Sequence, residues 1–163
     1  SPHLLMAMDR WMMGGLDVVG YRELSAILPL LIPGLLLLFL QGNALNQLAI
    51  GEEMAIGHGV NVPLVQKQIF LGTGLATAAA VSLAGPIGFV GLIIPHAVRR
   101  LSGFDHRLVL PASFLLGGGF LTVCDLGART VVAPTEMPVG IITAMIGGPV
   151  FLRILLKKRG RSL

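Results

Sequence analysis

Charged residues are scarce in this 163-residue sequence: they make up 12% of it, whereas an ordinary soluble domain contains about 25%. Hydrophobic residues reach 54%, and the mean hydropathy is +0.83. This composition argues against a soluble domain and predicts an integral membrane protein. Apolar runs separated by short joints fill the whole chain, so the predicted fold class is all-α, a single bundle of transmembrane helices with no separate soluble domain.

Cysteine is almost absent as well. Cys124 is the single cysteine and lies inside an apolar run, which excludes a disulfide framework or a cysteine metal site and predicts a packing role. The sequence also has no P-loop, no Gly-x-Ser-x-Gly and no His-Glu-x-x-His. We therefore expect no enzyme activity, no cofactor and no metal site in this chain.

The beginning of the chain lacks the features of a signal peptide. It starts at Ser1 without a methionine, a basic region or a cleavage site. Residues 4–24, "LLMAMDRWMMGGLDVVGYREL", combine methionine, aromatic and balanced charged residues, as expected of an interfacial helix and turn before the first span. Because this amphipathic segment opens in the middle of an element, the sequence predicts a fragment of a longer chain.

Apolar runs long enough to cross a bilayer predict about five spans. The region from Gln68 to Val98 has no fixed charge and is too long for one span, so it must tilt or break. The natural break is Gly85-Pro86, because Pro86 lacks an N–H and biases Gly85 away from helical geometry. Pro95 is expected to interrupt the short span that follows. The predicted spans are 24–40, 68–85, 87–101, 108–132 and 139–156.

Basic residues set the predicted topology. They cluster at 99–107 and 157–161, beside apolar runs, as expected of cytoplasmic anchors. With the break in place, the loop 41–67, the loop 99–107 and the tail 157–163 all lie on the cytoplasmic side. The net charge of +4 is explained by these anchors, and nucleic-acid binding is not expected. Without the break, the loop 41–67 would face the other side, and its one basic residue, Lys67, does not decide between the two.

The first candidate functional segment is "GEEMAIGHGV". Glu52 and Glu53 are too costly for the hydrocarbon region, so the segment lies outside it. The pattern predicts a short helix over 52–56 that ends at Gly57 and Gly59, because glycine adopts positive φ at a helix C-terminus. An exposed acidic helix would present a surface to a cytoplasmic partner. A solvated loop is the alternative, which composition alone favours.

The second candidate segment is "GPIGFVGLIIPHAVRR". A membrane segment broken by glycine and proline indicates a transport pathway or a moving joint, because broken helices in lipid persist only against protein or a cavity. His96 has no second histidine, cysteine or carboxylate at ligand spacing, so a capping or packing role is expected. The residues singled out are Gly85, Pro86, Gly88, Gly91, Pro95 and His96.

Asp125 and Arg129 are the third candidate. Their i,i+4 spacing places them on one face of a helix, where they can pair. The predicted topology puts them at the extracytoplasmic end, near Glu136 and Pro138. Charges within a membrane are functional candidates, and an ion pair that only anchors the helix is the alternative.

Three function classes fit a membrane chain of this kind. A permease driven by a partner ATPase accounts for both the acidic segment and the broken span. A secondary transporter or channel without an ATPase also permits a broken helix, but no carboxylate lies well inside a span to couple ions. An intramembrane enzyme is disfavoured because Ser82, His96 and Asp125 lie on different apolar runs.

Four stretches together resemble the FecCD-type permeases, the membrane subunits of ATP-binding-cassette (ABC) importers for iron-siderophores, haem and vitamin B12. They occur in the order of the family and span nearly the whole chain. These stretches are "WMMGGLDVVGYREL", "LNQLAIGEEMAIGHGVNVP", "AGPIGFVGLIIPHAVRRLSGFDHRLVLPAS" and "DLGARTVVAPTEMPVGIITAMIGGPVFL".

The resemblance implies a multi-pass protein of the bacterial cytoplasmic (inner) membrane with its C-terminus in the cytoplasm. A full permease of the family has about ten spans, so residues 1–163 look like its C-terminal half, a partial permease domain. The implied partners are a second permease protomer, a cytoplasmic ABC ATPase, a periplasmic or lipid-anchored substrate-binding protein and membrane lipid. Iron-siderophore is the favoured substrate, and haem and cobalamin remain open.

The resemblance also assigns residues. "GEEMAIGHGVNVP" matches the coupling helices of the family, so Glu52, Glu53, Ala55 and Gly59 would meet the ATPase. The segment departs from the wider Glu-Ala-Ala…Gly pattern, because Glu53 and Met54 replace the two alanines. Arg129 matches an extracytoplasmic arginine that receives acidic residues of the binding protein, where a charge pair would steer docking.

Overall fold

The computed structural model describes residues 2–16, 20–131 and 137–159. Across these ranges the chain is helical and contains no strand, in agreement with the predicted all-α class. Its helices, in chain order, are α1 (Pro2–Met13), α2 (Tyr21–Leu40), α3 (Gly42–Ile50), α4 (Glu52–Gly57), α5 (Val62–Ala84), α6 (Val90–Ser102), α7 (His106–Val131) and α8 (Val139–Arg159).

Two of these helices are long and apolar enough to cross a membrane, Tyr21–Leu40 and His106–Thr130. In the most apolar 18-residue stretch of each helix, only 6% and 17%, respectively, is buried within the chain. A core helix of a soluble protein would be mostly buried, whereas the apolar faces of these two helices are largely uncovered by the rest of the chain. Within α8, Val139–Ile154 is a shorter apolar helical stretch. The predicted total of about five spans stays a prediction.

Proline does not interrupt the apolar helices. α2 runs without a break through Pro29 and Pro33. The prediction that Pro95 interrupts the short span is wrong, because α6 is continuous from Val90 to Ser102. A proline in a helix removes one backbone hydrogen bond, and α6 remains helical through Pro95 despite that loss.

The region 41–67 is more ordered than its composition indicates. It contains α3, α4 and the beginning of α5, which starts at Val62 rather than near Gln68. Pro63 lies in the first turn of α5. A backbone N–H there has no acceptor within the helix, so the proline removes no helical hydrogen bond. The polar residues Gln66 and Lys67 therefore form the first turns of a helix and do not belong to the preceding loop.

Contacts divide the chain into two compact units. The first comprises Ser1–Val18, Ala84–Ala97 and Leu115–Leu163, and the second comprises Val19–Leu83 and Val98–Phe114. In the first unit Cys124 is 3% exposed and belongs to a buried cluster, which agrees with its predicted packing role. The other members are Ala128 and Val139, with Phe120, Leu121 and Ile142 packed against them.

In the second unit, α2 and α5 cross closely. A Cβ atom on Gly34 would lie 2.9 Å from the backbone nitrogen of Ala76 and 3.0 Å from the carbonyl oxygen of Gly72. Small residues allow helix backbones in lipid to approach in this way. The rings of Phe39 and Phe114 form an edge-to-face pair in the same unit, with their centroids 6.3 Å apart.

Candidate functional site

The acidic segment forms a short, well-terminated helix. α4 begins at Glu52, and the side chains of Glu52 and Glu53 are exposed in its first turn. Two large apolar side chains, Met54 and Ile56, are also exposed, by 55% and 58%. α4 therefore presents a mixed acidic and apolar surface.

The end of α4 is a Schellman motif. Gly59 has φ +82°, its N–H donates to the carbonyl of Ile56 at 2.9 Å, and the N–H of Val60 donates to the carbonyl of Ala55 at 3.0 Å. Gly59 therefore has a conformational role at the helix end. Ala55 is fully buried and packs inside the chain, and its implied role at the ATPase contact stays a prediction. Glu52, Glu53 and Gly59 are exposed and remain available to a partner.

Gly51, the first residue of the segment "GEEMAIGHGV", had no role assigned from the sequence, and it joins α3 to α4. Its φ of +149° and ψ of +146° place it in a region that is essentially restricted to glycine. No atom lies within 4 Å of the position that a Cβ would take, so the backbone angle alone requires glycine. A single residue therefore sets the angle between α3 and α4.

A polar network attaches α3 to the beginning of α7. The side-chain amide nitrogen of Asn46 donates to Asp105 Oδ1 at 2.6 Å, and the backbone N–H of His106 donates to Asn46 Oδ1 at 2.7 Å. His106 Nδ1 lies 2.8 Å from the same oxygen, a hydrogen bond when Nδ1 carries the proton. Gly42 adds a close contact, because its Cβ would lie 3.3 Å from the Cα of Arg107.

Asp105 also receives the backbone N–H of Arg107 at 3.0 Å, as an N-terminal capping residue does. The hydrogen bonds from Asn46 and then from Arg107 lower the pKa of the Asp105 carboxyl group below 3.8. A lowered pKa keeps Asp105 ionised, so the network is complete at neutral pH and is weakened only as the pH falls through that lowered value.

The chain leaves helical geometry at Gly85-Pro86, where the sequence predicts a break. α5 ends at Ala84 and α6 begins at Val90. Gly85 has φ +68°, and a Cβ on it would overlap the carbonyl oxygen of Trp11. Gly88 and Gly91 have no atom within 4 Å of the position that a Cβ would take, so space does not require glycine at either residue.

The end of α1 lies against this break. A Cβ on Gly14, which has φ +70°, would lie 2.7 Å from the carbonyl oxygen of Pro86. The N–H of Gly15 donates to the carbonyl of Ala84 at 2.9 Å, and the N–H of Gly140 donates to the carbonyl of Gly14 at 3.2 Å. The backbone at 14–15 therefore links the end of α5 to the beginning of α8.

Phe89 carries the one positive φ of a non-glycine residue in the described ranges, +68°. Positive φ is unusual for a bulky side chain. Its carbonyl accepts the N–H groups of Leu92 and Ile93 at 3.0 Å, in the first turn of α6. The Cβ and ring of Phe89 occupy the space beside Gly147 of α8, where any side chain would overlap them.

His96 does not have its predicted role. Its side chain is exposed, so it is not a packing residue within this chain, and it lies in the interior of α6, so it is not a capping residue. The physical reason is the position of His96 on the helix. Ile94 and Val98 lie on the face of α6 that the chain buries, and His96 lies on another face.

Asp125 and Arg129 pair as their spacing predicts. Arg129 Nε lies 2.8 Å from Asp125 Oδ2, and Arg129 Nη2 donates to the carbonyl of Leu16 at 3.0 Å. The side chains of Arg129 and Asp125 are 40% and 23% exposed, respectively. Arg129 therefore binds Asp125 on its own helix and also Leu16, in the segment after α1. Glu136 and most of the basic tail, 160–163, lie outside the described residues.

Comparison with known proteins identifies the family of this chain. The model of the FecCD transport family matches residues 1–157. A solved inward-facing structure assigned to the metal-chelate type of ABC transporter aligns with a TM-score of 0.82 and 34% identity, over 94% of this chain and 49% of that one.

Three relatives are similar along nearly the whole chain. The uncharacterized ABC transporter permease protein YvrB of Bacillus subtilis (strain 168) is 43% identical over 98% of this chain. The cobalamin import system permease protein BtuC of Halobacterium salinarum is 46% identical over 94%, and the hemin transport system permease protein HmuU of Yersinia pestis is 42% identical over 91%. The chain spans 46%, 41% and 45% of these relatives, respectively. This chain belongs to the FecCD transport family of ABC transporter permeases.

Proposed function

We propose that this chain is the C-terminal half of a permease subunit in an ATP-driven importer, and that it forms part of the membrane pathway for a metal chelate. The substrate class is an iron-siderophore or a similar chelate such as haem or cobalamin. Support comes from relatives named for cobalamin and hemin import and from the metal-chelate type transporter of similar fold.

The observation that carries the coupling role is the surface of α4. A partner-binding surface commonly combines large apolar side chains with a polar rim. α4 exposes Met54 and Ile56 beside Glu52 and Glu53, while the buried Ala55 and the Schellman motif at Gly59 hold the helix in place. These features favour a protein contact over a solvated loop, and we assign that contact to a cytoplasmic ABC ATPase.

The other parts of the assembly follow from this assignment. α4 and the C-terminus lie on the cytoplasmic side of the bacterial inner membrane. Five helices cross the membrane in chain order: α2, α5, α6, α7 and α8. A periplasmic or lipid-anchored substrate-binding protein docks at the opposite end, where Arg129 lies. A second permease protomer completes the pathway, and lipid covers the remaining apolar surface.

The test replaces both acidic side chains of α4 in the intact permease, reconstituted in vesicles with its ATPase and its binding protein. The double variant Glu52→Ala/Glu53→Ala should lower ATP-dependent uptake by roughly three- to tenfold, because charged groups at an interface steer association and add to affinity. The matched control is Glu23→Ala, since Glu23 is also an exposed glutamate in the first turn of a helix.

Two results would contradict the proposal. The first is equal uptake and equal ATP hydrolysis in the double variant and the Glu23→Ala control. The second is substrate uptake by the reconstituted permease that follows an ion gradient and needs no ATPase, which would favour a secondary transporter.

A further inference from the structure

The contact between α3 and the beginning of α7 joins two segments that are 60 residues apart in the chain. One side-chain amide, that of Asn46, uses both its nitrogen and its oxygen in this contact. Gly42 and Asn46 are spaced i,i+4, so both contacts lie on the same face of α3. α3 is therefore held to the first turn of α7 at two points of one face.

The same helix continues directly into α4. Gly51 is the only residue between them, its N–H donates to the carbonyl of Gln47 at 3.4 Å, and its carbonyl accepts the N–H of Ala55 at 3.0 Å. α3 and α4 are also packed against each other. α4 is therefore joined to the helix that carries Asn46 through one residue whose N–H and carbonyl are both hydrogen-bonded.

α7 does not need Asn46 in order to begin. Asp105 already caps the helix through the N–H of Arg107, and the N–H groups of Leu108 and Val109 bond to the backbone carbonyl of Asp105. The hydrogen bonds of Asn46 are additional to that cap, and their effect is to attach the cap to α3. α7 is a helix of 26 residues, and the hydrogen bonds of Asn46 act on its N-terminal end.

We propose that Asn46 is a positioning residue of the transport reaction, which transmits the displacement of α4 to α7 through Asp105 and the backbone of His106. This inference rests on the proposed function, because the displacement originates at the contact between α4 and the ATPase. Loss of the link would leave ATP hydrolysis intact and separate it from movement of α7.

The experiment measures substrate imported per ATP hydrolysed by the intact permease with its ATPase and binding protein in vesicles. Asn46→Ala should lower this ratio by about tenfold or more, the effect expected when a hydrogen bond to a charged group is lost, while the ATPase still co-purifies with the permease. The control is Asn43→Ala, because Asn43 is an exposed asparagine on the same helix. Asn46→Asp should lower the ratio at least as far, since it places two carboxylates together.

The double variant Asn46→Asp/Asp105→Asn exchanges donor and acceptor and should recover at least half of the original ratio. Its recovery also shows that the single variants fail through this contact and not through misfolding. An Asn46→Ala ratio equal to that of Asn43→Ala would overturn the proposal, and so would a double variant that recovers nothing. If neither the unaltered permease nor Asn43→Ala imports substrate with ATP, the proposed function itself is wrong.

Discussion

The carbonyl oxygen of Gly34 in α2 lies 3.0 Å from the position that a Cβ atom on Gly72 of α5 would take. The same Cβ would lie 3.1 Å from the Cβ of Leu37. Helix association in lipid depends on close packing, because lipid tails are as apolar as the side chains they replace. The crossing of α2 and α5 therefore depends on the absence of a side chain at both glycines.

Gly72→Ala should destabilise the intact protein, because the new methyl group meets a backbone atom that cannot rotate away. Overpacking of this kind costs about 1–3 kcal/mol. The measurement is the thermal unfolding midpoint in detergent. Gly74→Ala is the control on the same helix, since no atom lies within 4 Å of its Cβ position, and it should be neutral or slightly stabilising. Equal midpoints for the two variants would contradict the close crossing.

Gly85→Ala should disrupt the break between α5 and α6. The residue would have to keep a φ of +68°, and its methyl group would overlap the carbonyl oxygen of Trp11. Positive φ alone costs a non-glycine residue about 1–2 kcal/mol, so we expect a lower yield of folded protein and a lower unfolding midpoint. Gly88→Ala tests the specificity, because Gly88 lies in the same break with open space around it. A Gly88→Ala variant as damaged as Gly85→Ala would count against this explanation.

The composition and local pattern were sufficient for much of this fold. Long apolar runs located α2, α7 and α8 to within a few residues, and Gly85-Pro86 located the break. Gly59 predicted the end of α4 for the right physical reason, a positive φ just beyond the helix. Gly57 is the last helical residue and has no positive φ, so it does not have the conformation expected of it. These features depend on residues that are neighbours in the sequence.

The features that were missed depend on residues that are far apart. Asn46 and Asp105 are 59 residues apart, and no local signal pairs them. The aspartate before the first apolar residues of α7 could have been identified as a helix cap, but its partner could not. The exposure of His96 likewise depends on which face of α6 the rest of the protein covers, and an apolar sequence context does not specify that face.

Phe89 and Gly147 give a prediction for the beginning of α6. Gly147→Ala would force the ring of Phe89 away from α8, and the strained φ of Phe89 would lose the packing that maintains it. We expect the unfolding midpoint to fall and the accessibility of α6 amides to hydrogen exchange to rise. Gly148→Ala is the adjacent control with open space. The prediction fails if exchange in the first turn of α6 is the same in both variants.

Variants of Arg129 and Asp125 can separate the proposed docking role of Arg129 from its structural role. Arg129→Gln and Asp125→Asn each abolish the ion pair between them, but only Arg129→Gln removes the cation that a binding protein would meet. If Arg129 docks the binding protein, Arg129→Gln should raise the dissociation constant at low salt severalfold more than Asp125→Asn does, because rim charges steer association. The difference should shrink as salt shortens the range of the interaction. Equal dissociation constants for the two variants would mean that Arg129 acts only inside the chain, where it holds Asp125 and the carbonyl of Leu16.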